Sequence, residues 1–487
     1  MIARAASDGA EAVELRLDSG RPDPASLLAA VRRAGLKAIA CCRRASEGGG
    51  WSAGEEEREA LLARALAEGA DWIDLESASP LPARLRSRGE GRILLSHHDL
   101  AATPDDLAGI AVKLAESAAR CGAIAAKLVP FARTLADNAA LRDLSVEGAL
   151  PFVRFAAGKK GLPSRLLARA WGSSSVYFAA DPARPAVAGQ IGVREGLEIY
   201  GGGRTDPLEP LYGIAGSPLD HSLSPRLHSA ALRACGFPGR YLPFETADAD
   251  ELLDAAERLG IAGLSVTMPL KESMATRLAD LSSEARAAGA VNTLHRETGA
   301  GPFSGANTDG AGALAAVGTR MDPGDARVLV LGTGGAARAV IVAFRRAGAM
   351  VWVHGRDAAR TAAVAARTGA NLCTPGQLAE GGWDLLLNAT SAGMLDPSEL
   401  PLPASAISAR LVHDVVYRRD EPTRFTREAA SRGIPVVEGI ELLIEQAVLQ
   451  FGLWHPHDEA LPVTARRAMR EALGLADRPG GGSRNPL

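Results

Sequence analysis

A glycine-rich turn between an apolar run and a helical pattern constrains this chain more than any other feature of its sequence. Residues 328–331 (Val-Leu-Val-Leu) are continuously apolar, as in a parallel strand that is covered on both faces. Gly332 and Gly334 permit a tight turn, and Ala337 is small where helix and strand must pack closely. A second apolar run, residues 350–354, completes a βαβ unit. The pattern predicts that the helix N-terminus binds the pyrophosphate of a dinucleotide, the alternative being a purely structural turn.

The end of the second strand bears on which dinucleotide binds. An acidic residue there hydrogen-bonds the ribose of NAD, whereas an arginine suits the 2′-phosphate of NADP. Arg356 and Arg360 lie about one helical turn apart and can clamp a phosphate. Asp357 competes with this interpretation, although its position also suits the N-cap of the following helix. The pattern favours NADP as the cofactor.

The composition limits the class of protein. A chain of 487 residues with 47% hydrophobic and 23% charged residues is long enough for about two to four globular domains. The net charge of −3 predicts no bulk attraction to nucleic acid or to an anionic membrane. Five cysteines without C-x-x-C spacing predict free thiols in a reducing compartment and no metal site. The sequence shows no membrane-spanning run and no signal peptide, so we expect a cytoplasmic protein, of unknown oligomeric state.

The first two hundred residues alternate short apolar strands with helical stretches. Seven strands are predicted, at residues 12–18, 37–43, 72–76, 93–99, 123–130, 151–156 and 176–180. Helices lie between them, for example at 56–68 and 105–121, and residues 2–7 form a helix before the first strand. Alternation at this spacing predicts a parallel sheet, and this number of units predicts a (β/α) barrel that lacks one strand.

Polar and ionisable residues gather near the ends of these strands, which form the catalytic face of such a barrel. They are Glu14, Arg16, Asp18, Arg43, Glu47, Asp74, Glu76, His97, His98, Asp99 and Lys127. Lys127 lies in an apolar run, where burial lowers the pKa of a lysine and frees its amine to attack a carbonyl. The alternative is a lysine paired to a barrel carboxylate as a structural strut. His98 is either a general base or a histidine hydrogen-bonded within the barrel.

Seven different short motifs lie along residues 1–200. They are Val13-Glu-Leu-Arg-Leu-Asp18, Arg43 with Glu47-Gly-Gly49, Ile73-Asp-Leu-Glu76, His98-Asp99, Lys127, Ser164-Arg165 and Gly189-Gln190. In this order they resemble the type I 3-dehydroquinate dehydratases. The resemblance implies that Lys127 forms a Schiff base with the substrate ketone, that His98 moves the protons and that Glu47 orients His98. It also implies a set of substrate contacts, namely Glu14, Arg16, Arg43, Arg165 and Gln190.

Two departures from that family bear on the dehydratase activity. The family's first barrel strand would precede residue 1, so we expect a gap with an unpaired strand on either side of it. Ala186 stands where the family has a serine, which removes one hydrogen bond to the substrate. One interpretation keeps this half catalytic, and the other makes it a non-catalytic, ligand-binding barrel.

Residues 201–210, with three glycines and two prolines, are predicted to link the first half to a second. Beyond the linker come several polar motifs, namely Ser222 with Ser224, Gly263-Leu-Ser-Val-Thr267-Met-Pro-Leu-Lys271, Asn292 and Asn307-Thr-Asp309. The two serines either bind a carboxylate at a helix start or cap that helix. Taken alone, Lys271 suits a surface helix and Asp309 suits a turn and cap.

Together these motifs resemble shikimate dehydrogenases over residues 211 to about 475. The resemblance implies that Lys271 is the acid/base acting on the reacting hydroxyl, with Asp309 beside it. It implies shikimate contacts for Ser222, Ser224, Thr267, Asn292, Tyr417 and Gln446. It implies NADP contacts for Gly332, Thr333, Gly334, Gly335, Ala336, Gly355, Arg356, Asp357, Arg360, Asn388, Thr390, Val415 and Gly439. The family has Asn-Arg-Thr where this chain has Gly355-Arg-Asp357. The aspartate at this position argues against the preference for NADP.

The expectation for the whole chain is an α/β protein in which a (β/α) barrel is fused to a two-domain dehydrogenase. The expected parts are the barrel (1–200), the linker (201–210), a shikimate-binding domain (211–310), a Rossmann-like NADP domain (311–436), C-terminal helices that pack back on the substrate domain (437–477) and a disordered tail (478–487). The expected function is dehydration of 3-dehydroquinate to 3-dehydroshikimate, then NADPH-dependent reduction to shikimate. A preference for quinate is the other substrate assignment that the sequence leaves open.

Overall fold

The computed structural model describes the chain except for residues 21, 88–90, 147, 149, 188, 207–209, 297–300, 419–420, 457–459 and 477–487. By its internal contacts the chain divides into two units, residues 1–209 with 242–259 and residues 210–241 with 260–487. The predicted disordered tail, residues 478–487, lies outside the described residues, as do three residues of the predicted linker. The domain boundaries given above stay predictions.

Six short strands form the sheet of the first unit. They are β1 (Ala12–Arg16), β2 (Lys37–Cys41), β3 (Trp72–Glu76), β4 (Ile93–His98), β5 (Ala125–Val129) and β6 (Phe152–Arg154). They lie in chain order, and every neighbouring pair is parallel. The helices are α1 (Ile2–Ser7), α2 (Pro24–Arg33), α3 (Glu55–Ala67), α4 (Leu81–Arg84), α5 (Leu107–Cys121), α6 (Asp137–Arg142) and α7 (Leu162–Leu166). Leu62 on α3 and Leu114 on α5 pack with Ile73 and Leu95 of the sheet in one buried cluster.

The sheet of the first unit is strongly curled. A flat sheet would separate β1 and β5 by four strand spacings, or about 19 Å. Lys127 on β5 nevertheless donates a hydrogen bond to Glu14 on β1, with 2.9 Å between Nζ and Oε2. The side chains of the concave face therefore converge as they do inside a barrel. Among the described residues, β1 and β6 are the edges of this sheet and do not pair with each other.

The predicted strand at 176–180 is wrong, whereas the other six predicted strands are confirmed, most of them a few residues shorter. In this stretch only Ala179 forms a bridge, and its partner is Gly192. The carbonyl of Tyr177 accepts a hydrogen bond from Arg165 Nη1 at 3.1 Å. The backbone here therefore accepts a hydrogen bond from a side chain instead of pairing with a neighbouring strand.

Chain beyond β6 contacts both sides of the gap between the two edges of this sheet. Ser174 N–H donates to Phe152 O on β6 at 2.8 Å. Arg194, twenty residues later, forms an ion pair of 2.9 Å with Asp8, just before β1. Among the described residues, the two unpaired edge strands that the family resemblance implied are present.

Two further six-stranded sheets follow along the chain. The remaining strands are β7 (Leu211–Gly216), β8 (Arg240–Glu245), β9 (Ile261–Val266), β10 (Asp280–Leu281), β11 (Thr293–His295), β12 (Ser304–Ala306), β13 (Arg327–Leu331), β14 (Met350–His354), β15 (Asn371–Leu372), β16 (Trp383–Asn388), β17 (Ala409–Asp414) and β18 (Val436–Val437). The first of the two sheets has the order β10-β12-β11-β9-β7-β8. The second has the order β15-β14-β13-β16-β17-β18 and is parallel throughout. This is the doubly wound order of Rossmann domains, in which ligands bind where the order reverses, beside β13 and β16.

The remaining helices connect these strands or close the chain. They are α8 (Ser224–Ala234), α9 (Ala249–Leu259), α10 (Leu270–Arg277), α11 (Ser283–Ala288), α12 (Asp309–Gly318), α13 (Gly335–Arg346), α14 (Ala358–Thr368), α15 (Pro375–Glu380), α16 (Arg424–Ser431), α17 (Gly439–Trp454) and α18 (Leu461–Ala472). Among the described residues, no helix combines the length and the apolar composition that a membrane span requires. All five cysteines are free thiols.

Helix α17 is buried around most of its circumference, although its sequence predicts an amphipathic helix. Leu443 and Phe451 belong to a buried cluster with Tyr212, and Gln446 and Gln450 are buried as well. The reason is that α17 contacts α8, α12 and α18 as well as β9 and β11. Its polar side chains therefore face buried partners instead of water.

Candidate functional site

A layer of charged side chains lies on the concave face of the first sheet. Glu14, Asp74 and Lys127 come from the alternate strands β1, β3 and β5. Lys127 Nζ lies 2.9 Å from Glu14 Oε2 and 2.8 Å from Asp74 Oδ2. Arg43 Nη2 lies 3.4 Å from the same Asp74 oxygen and 3.6 Å from Glu14 Oε1. The side chain of Lys127 is only 3% exposed, so these charges are removed from water as well as paired. A barrel interior is normally filled by apolar layers, so a charged layer marks a candidate site.

These ion pairs raise the pKa of Lys127. Burial alone would lower this pKa, but the carboxylates of Asp74 and Glu14 outweigh burial. Of the two interpretations that the sequence leaves open for Lys127, the structure therefore shows the lysine paired to barrel carboxylates and not the lysine made neutral by burial. Burial would likewise raise the pKa of Asp74, but Lys127 and Arg43 hold it well below its usual value. These ion pairs thus favour the ammonium form of Lys127.

Three side chains in and beside this layer offer donor atoms for a metal ion, whereas the sequence predicts no metal site. Cys41 Sγ and one oxygen each from Glu14 and Asp74 lie within 4.8 Å of one another, which a metal ion could use. Lys127 and Arg43 already neutralise these two carboxylates. The absence of a metal site stays a prediction.

His98 lies at the end of β4, on the strand next to Lys127. Its Nδ1 lies 3.3 Å from Glu47 Oε2, and its backbone N–H donates to the same oxygen at 3.3 Å. Burial, followed by the charges of Arg43 and Lys127, holds the pKa of His98 well below its usual value. Burial also raises the pKa of Glu47. A neutral ring that donates from Nδ1 to Glu47 keeps the lone pair of Nε2 for a substrate proton.

Tyr177 contacts both Lys127 of this layer and a third cation, Arg165. The Lys127 ammonium lies 4.3 Å from the centroid of the Tyr177 ring, a cation–π contact. The guanidinium of Arg165 donates to the Tyr177 carbonyl and stacks 4.2 Å from the centroid of Phe155. Burial lowers the pKa of Arg165 to about 10. The structure therefore places Arg165 close to the charged layer.

Two further residues of the predicted dehydratase site form hydrogen bonds with residues outside the charged layer. Arg16 donates to both carboxylate oxygens of Asp18, at 2.9 and 2.7 Å. Gln190 Oε1 accepts from Val187 N–H at 3.3 Å. Neither side chain donates to the charged layer in the described part of the chain, so their role as substrate contacts stays a prediction.

Sequence reasoning gave no role to Asp74 or Tyr177. Asp74 stood in one of the seven motifs, and its position in β3 matches the inward position that Lys127 takes in β5. The matching positions of Asp74 and Lys127 within their strands are the signal that could have identified Asp74 as part of the site. Tyr177 carried no such signal, because the strand predicted around it does not form.

A second candidate site lies in the second unit, at the starts of α10 and α12. Lys271 Nζ on α10 lies 2.6 Å from Asp309 Oδ2, at the first residue of α12. Asn292 Nδ2 donates to Asp309 Oδ1 at 2.8 Å and lies 3.5 Å from Gln446 Oε1 on α17. Asn292, Asp309 and Gln446 are buried, while the Lys271 side chain is 18% exposed. The structure therefore brings these four predicted residues together, with the ammonium on the accessible side. An ammonium held in this way can exchange a proton with a substrate oxygen.

The other predicted substrate contacts of this unit lie at the start of α8, after β9 and against the cluster that includes α17. Ser224 is the first residue of α8, and both interpretations of the two serines, carboxylate binding and helix capping, stay predictions. Ser224 N–H donates to Ser222 Oγ at 3.3 Å, which holds the two residues side by side. Thr267 follows β9 directly and precedes α10, which carries Lys271. Tyr417 packs against the buried cluster that includes α17.

The glycine turn joins β13 to α13, as the sequence predicts. Gly332 has a φ of +117°, and a Cβ there would lie 2.7 Å from a neighbouring carbonyl oxygen, so only glycine fits. Helix α13 begins at Gly335 without a side-chain cap, and Thr333 and Ala336 flank this start. Its first N–H groups are therefore available to an anion. A Cβ at Gly334 would meet nothing within 4 Å, so the turn is open on that side. The geometry fits a pyrophosphate.

The residues after β14 carry the two arginines predicted to bind a phosphate. Asp357 caps α14, with its carboxylate accepting from Arg360 N–H at 3.0 Å, which confirms the capping interpretation. Arg356 and Arg360 are exposed, and neither forms an ion pair with any residue that the structure describes. A Cβ at Gly355 would lie 2.7 Å from Thr361 Oγ1, so the chain passes close to α14. Two guanidinium groups at this position fit a 2′-phosphate.

The remaining predicted cofactor contacts surround the ends of β16 and β17. Asn388 Oδ1 accepts from Thr390 N–H at 3.0 Å, and its Nδ2 donates to Asp414 Oδ1 at 2.8 Å. Val415 N–H donates to Asn388 O at 2.9 Å. Burial raises the pKa of Asp414 to about 7. Gly439 starts α17, and a Cβ there would clash with a neighbouring carbonyl. These residues lie at the carboxyl edge of the sheet, where doubly wound folds bind ligands.

Comparison with known proteins gives matches to both halves of the chain. Residues 1–202 match the family model of type I 3-dehydroquinase, and residues 214–294 match that of the shikimate dehydrogenase substrate binding domain. A chloroplastic bifunctional 3-dehydroquinate dehydratase/shikimate dehydrogenase of Arabidopsis thaliana is 30% identical over 474 residues, which cover 92% of this chain and 78% of that protein. A shikimate dehydrogenase (NADP(+)) of Halobacterium salinarum is 40% identical over 268 residues, which cover 54% of this chain and 98% of that protein. The crystal structure of Thermus thermophilus shikimate 5-dehydrogenase in complex with NADP(H) and shikimate is 35% identical, covers 54% of this chain and 99% of its own, and has a TM-score of 0.49.

Proposed function

Because the chain belongs to the family of bifunctional 3-dehydroquinate dehydratases/shikimate dehydrogenases, we propose that it carries both activities. The first unit dehydrates 3-dehydroquinate to 3-dehydroshikimate, and the second reduces that product to shikimate with NADPH. The product of the first reaction is thus the substrate of the second, which gives the fusion a chemical reason. The family resemblance stated from the sequence motifs is confirmed.

The dehydratase proposal rests on the buried ammonium of Lys127, with His98 on the neighbouring strand. Lys127 first gives up a proton, for which Glu14 and Asp74 are acceptors within hydrogen-bond distance. The amine then adds to the ketone carbon, and loss of water leaves an iminium bond to Nζ. His98 removes a proton from the neighbouring carbon and returns it to the departing hydroxyl, which leaves as water. Hydrolysis of the iminium restores the lysine and releases the enone.

The residues around this pair hold the groups in place. Glu47 accepts from His98 and orients its ring, as the distance of 3.3 Å supports. Arg165 suits the substrate carboxylate, because a guanidinium binds a carboxylate through two parallel hydrogen bonds. The remaining substrate contacts in this proposal are Glu14, Arg16, Arg43 and Gln190.

The dehydrogenase proposal rests on the 2.6 Å pair of Lys271 and Asp309, with the open glycine turn in the same unit. Bound NADPH supplies a hydride to the ketone carbon. Lys271 supplies the proton that the resulting alkoxide oxygen needs, and Asp309 holds the ammonium in place. Arg356 and Arg360 hold the 2′-phosphate, which selects NADPH over NADH.

A covalent trapping experiment tests the proposal. Borohydride reduces an imine to a stable amine, so the full chain is treated with 3-dehydroquinate and borohydride and analysed by mass spectrometry. We expect an adduct on Lys127 that is absent from Lys127→Met. The same preparation should oxidise NADPH with 3-dehydroshikimate, and Lys271→Met should abolish that reaction while leaving the adduct. A wild-type chain that oxidises NADPH but forms no adduct would disprove the dehydratase assignment.

A second candidate function for the first unit is ligand binding without catalysis. One observation favours it: the carboxylates of Asp74 and Glu14 raise the pKa of Lys127, as expected of a lysine that serves as an ion-pair strut. This alternative predicts that calorimetry detects 3-dehydroquinate binding in a protein that gives no borohydride adduct. For the second unit, initial rates of shikimate and quinate oxidation with NADP and with NAD decide between the two substrates.

A further inference from the structure

The guanidinium of Arg338 joins the glycine turn to the chain segment that supports Lys271. Arg338 is the fourth residue of α13, and its Nη1 donates to Thr333 O in the turn at 3.1 Å. Its Nε donates to Ala288 O at 2.6 Å and its Nη2 to Gly289 O at 3.4 Å, both at the end of α11. The side chain is only 10% exposed. One buried side chain therefore bonds the backbone on both sides of the candidate site.

Residues 288–292, here called the bridging segment, lead from α11 to β11. Val291 N–H in this segment donates to Lys271 O at 2.8 Å. Asn292 Nδ2 donates to Asp309 Oδ1 at 2.8 Å. A shift of the bridging segment relative to α13 would therefore displace both members of the lysine–aspartate pair from the glycine turn.

The bridging segment also packs directly on α13. A Cβ at Gly335 would lie 2.8 Å from the Cβ of Ala290. Ala288, Ala290 and Ala339 form one buried cluster at this contact. These small side chains set how closely the segment approaches α13, and the hydrogen bonds of Arg338 oppose its moving away.

A second arginine offers a matched comparison. Arg367 on α14 caps the same end of α11, donating to the carbonyls of Ala287 at 3.3 Å and Arg286 at 3.4 Å. Both arginines donate to carbonyls at the C-terminal end of α11 and place a positive charge at the negative end of its dipole. Arg367, however, is exposed and does not bond the glycine turn. Of these two arginines, Arg338 alone links the helix end to the turn.

We propose that Arg338 is a positioning residue for the reduction, because it fixes the distance between Lys271 and the glycine turn. This inference rests on the proposed dehydrogenase function and deepens it. Arginine suits the role because its planar fork directs donors to both sides, whereas a lysine keeps the charge but not the fork. Proton and hydride transfer both require aligned groups, and a displacement of about 1 Å costs on the order of 100-fold in rate.

The test compares Arg338→Lys with Arg367→Lys in the full chain. Arg338→Lys should lower kcat for NADPH-dependent reduction of 3-dehydroshikimate by about 10- to 100-fold, with KM values changed much less. The isotope effect with C4-deuterated NADPH should rise, because the transfer step becomes slower. In the ligand-free protein, hydrogen–deuterium exchange of the peptide that carries the bridging segment should become faster. Arg367→Lys should leave kcat, the isotope effect and exchange in that peptide as in the wild type.

Each outcome decides the matter. If the wild type is active and Arg338→Lys shows the same kcat and the same exchange, this inference alone is overturned. It is also overturned if both variants lose activity equally, because the helix cap would then be what matters. A wild type that does not oxidise NADPH with 3-dehydroshikimate overturns the proposed function and this inference with it. If circular dichroism shows that Arg338→Lys does not fold, Arg338→Met keeps the buried stem and is measured in its place with the same criteria.

Discussion

A buried histidine should make the second unit lose stability as the pH falls. His228 on α8 is fully buried, with its ring stacked on Tyr241 at a centroid distance of 4.4 Å. Burial lowers the pKa of His228 to about 3 and outweighs the opposing effect of Gln450. Neither ring nitrogen meets the geometry of a hydrogen bond with a described residue. These surroundings therefore disfavour a charged ring.

The sign of the effect follows from proton binding. An unfolded histidine has a pKa of about 6.5, so between about pH 6.5 and pH 3 the unfolded chain binds a proton that the folded chain does not. Falling pH therefore favours unfolding. Relative to neutral pH, this one group should cost about 2 kcal/mol of unfolding free energy at pH 5, and the cost should approach about 5 kcal/mol below pH 3.

The variant His228→Leu isolates this contribution. Leucine has a similar volume and no polar atom, so at neutral pH the variant should lose less than about 1.5 kcal/mol of stability. Between about pH 7 and pH 5 its unfolding free energy should fall by about 2 kcal/mol less than that of the wild type. Urea titrations followed by intrinsic fluorescence give the difference, since Trp454 lies 4.9 Å from the His228 ring. The same pH slope in both proteins, or a loss above about 3 kcal/mol at neutral pH, would refute the reasoning, because the ring would then be solvated or hydrogen-bonded.

Three further predictions concern the two candidate sites. Glu47→Gln should lower kcat for dehydration by about 10- to 100-fold with little change in KM, because the ring of His98 loses its charged partner. Steady-state kinetics of dehydration check this, and NADPH oxidation by the same protein is the control that should not change. Asp74→Asn should lower the pKa of Lys127, since Asp74 is one of the two carboxylates that raise it, and the pH profile of borohydride adduct yield should move to lower pH; an unmoved profile contradicts this. Arg356→Gln should raise KM for NADPH by about tenfold and leave KM for NADH unchanged, which initial rates with both nucleotides decide.

The features of the second unit that the sequence predicts are carried by local signals. The strand at Met350–His354 has the predicted bounds, and the turn at Gly332 has the positive φ that its glycine permits. Asp357 caps α14, as its position before a helix predicts. Each of these signals lies within a few residues of the structure that it specifies, so a single sequence is enough to find it.

The features that the sequence misses depend on contacts between distant residues. The pKa of Lys127 moves in the direction opposite to the one that burial alone would give, because of two carboxylates that lie 113 and 53 positions away along the chain. Residues 176–180 are apolar and begin with Val-Tyr-Phe, as in a strand, but their backbone binds Arg165 and the Tyr177 ring contacts the ammonium. Here a charged site overrides local β-preference, as functional sites commonly do.

The curvature of the first sheet and the protonation of Lys127 are physically linked. Glu14 and Lys127 stand four strands apart, so their 2.9 Å contact exists only while the sheet is curled. Asp74 is only two strands from Lys127, so a modest flattening would break the contact with Glu14 before that with Asp74. Losing one carboxylate lowers the pKa of Lys127, whereas keeping the other leaves its amine in place. The curvature of the first sheet thus helps to hold the electrostatic state of the lysine on which the proposed dehydratase chemistry depends.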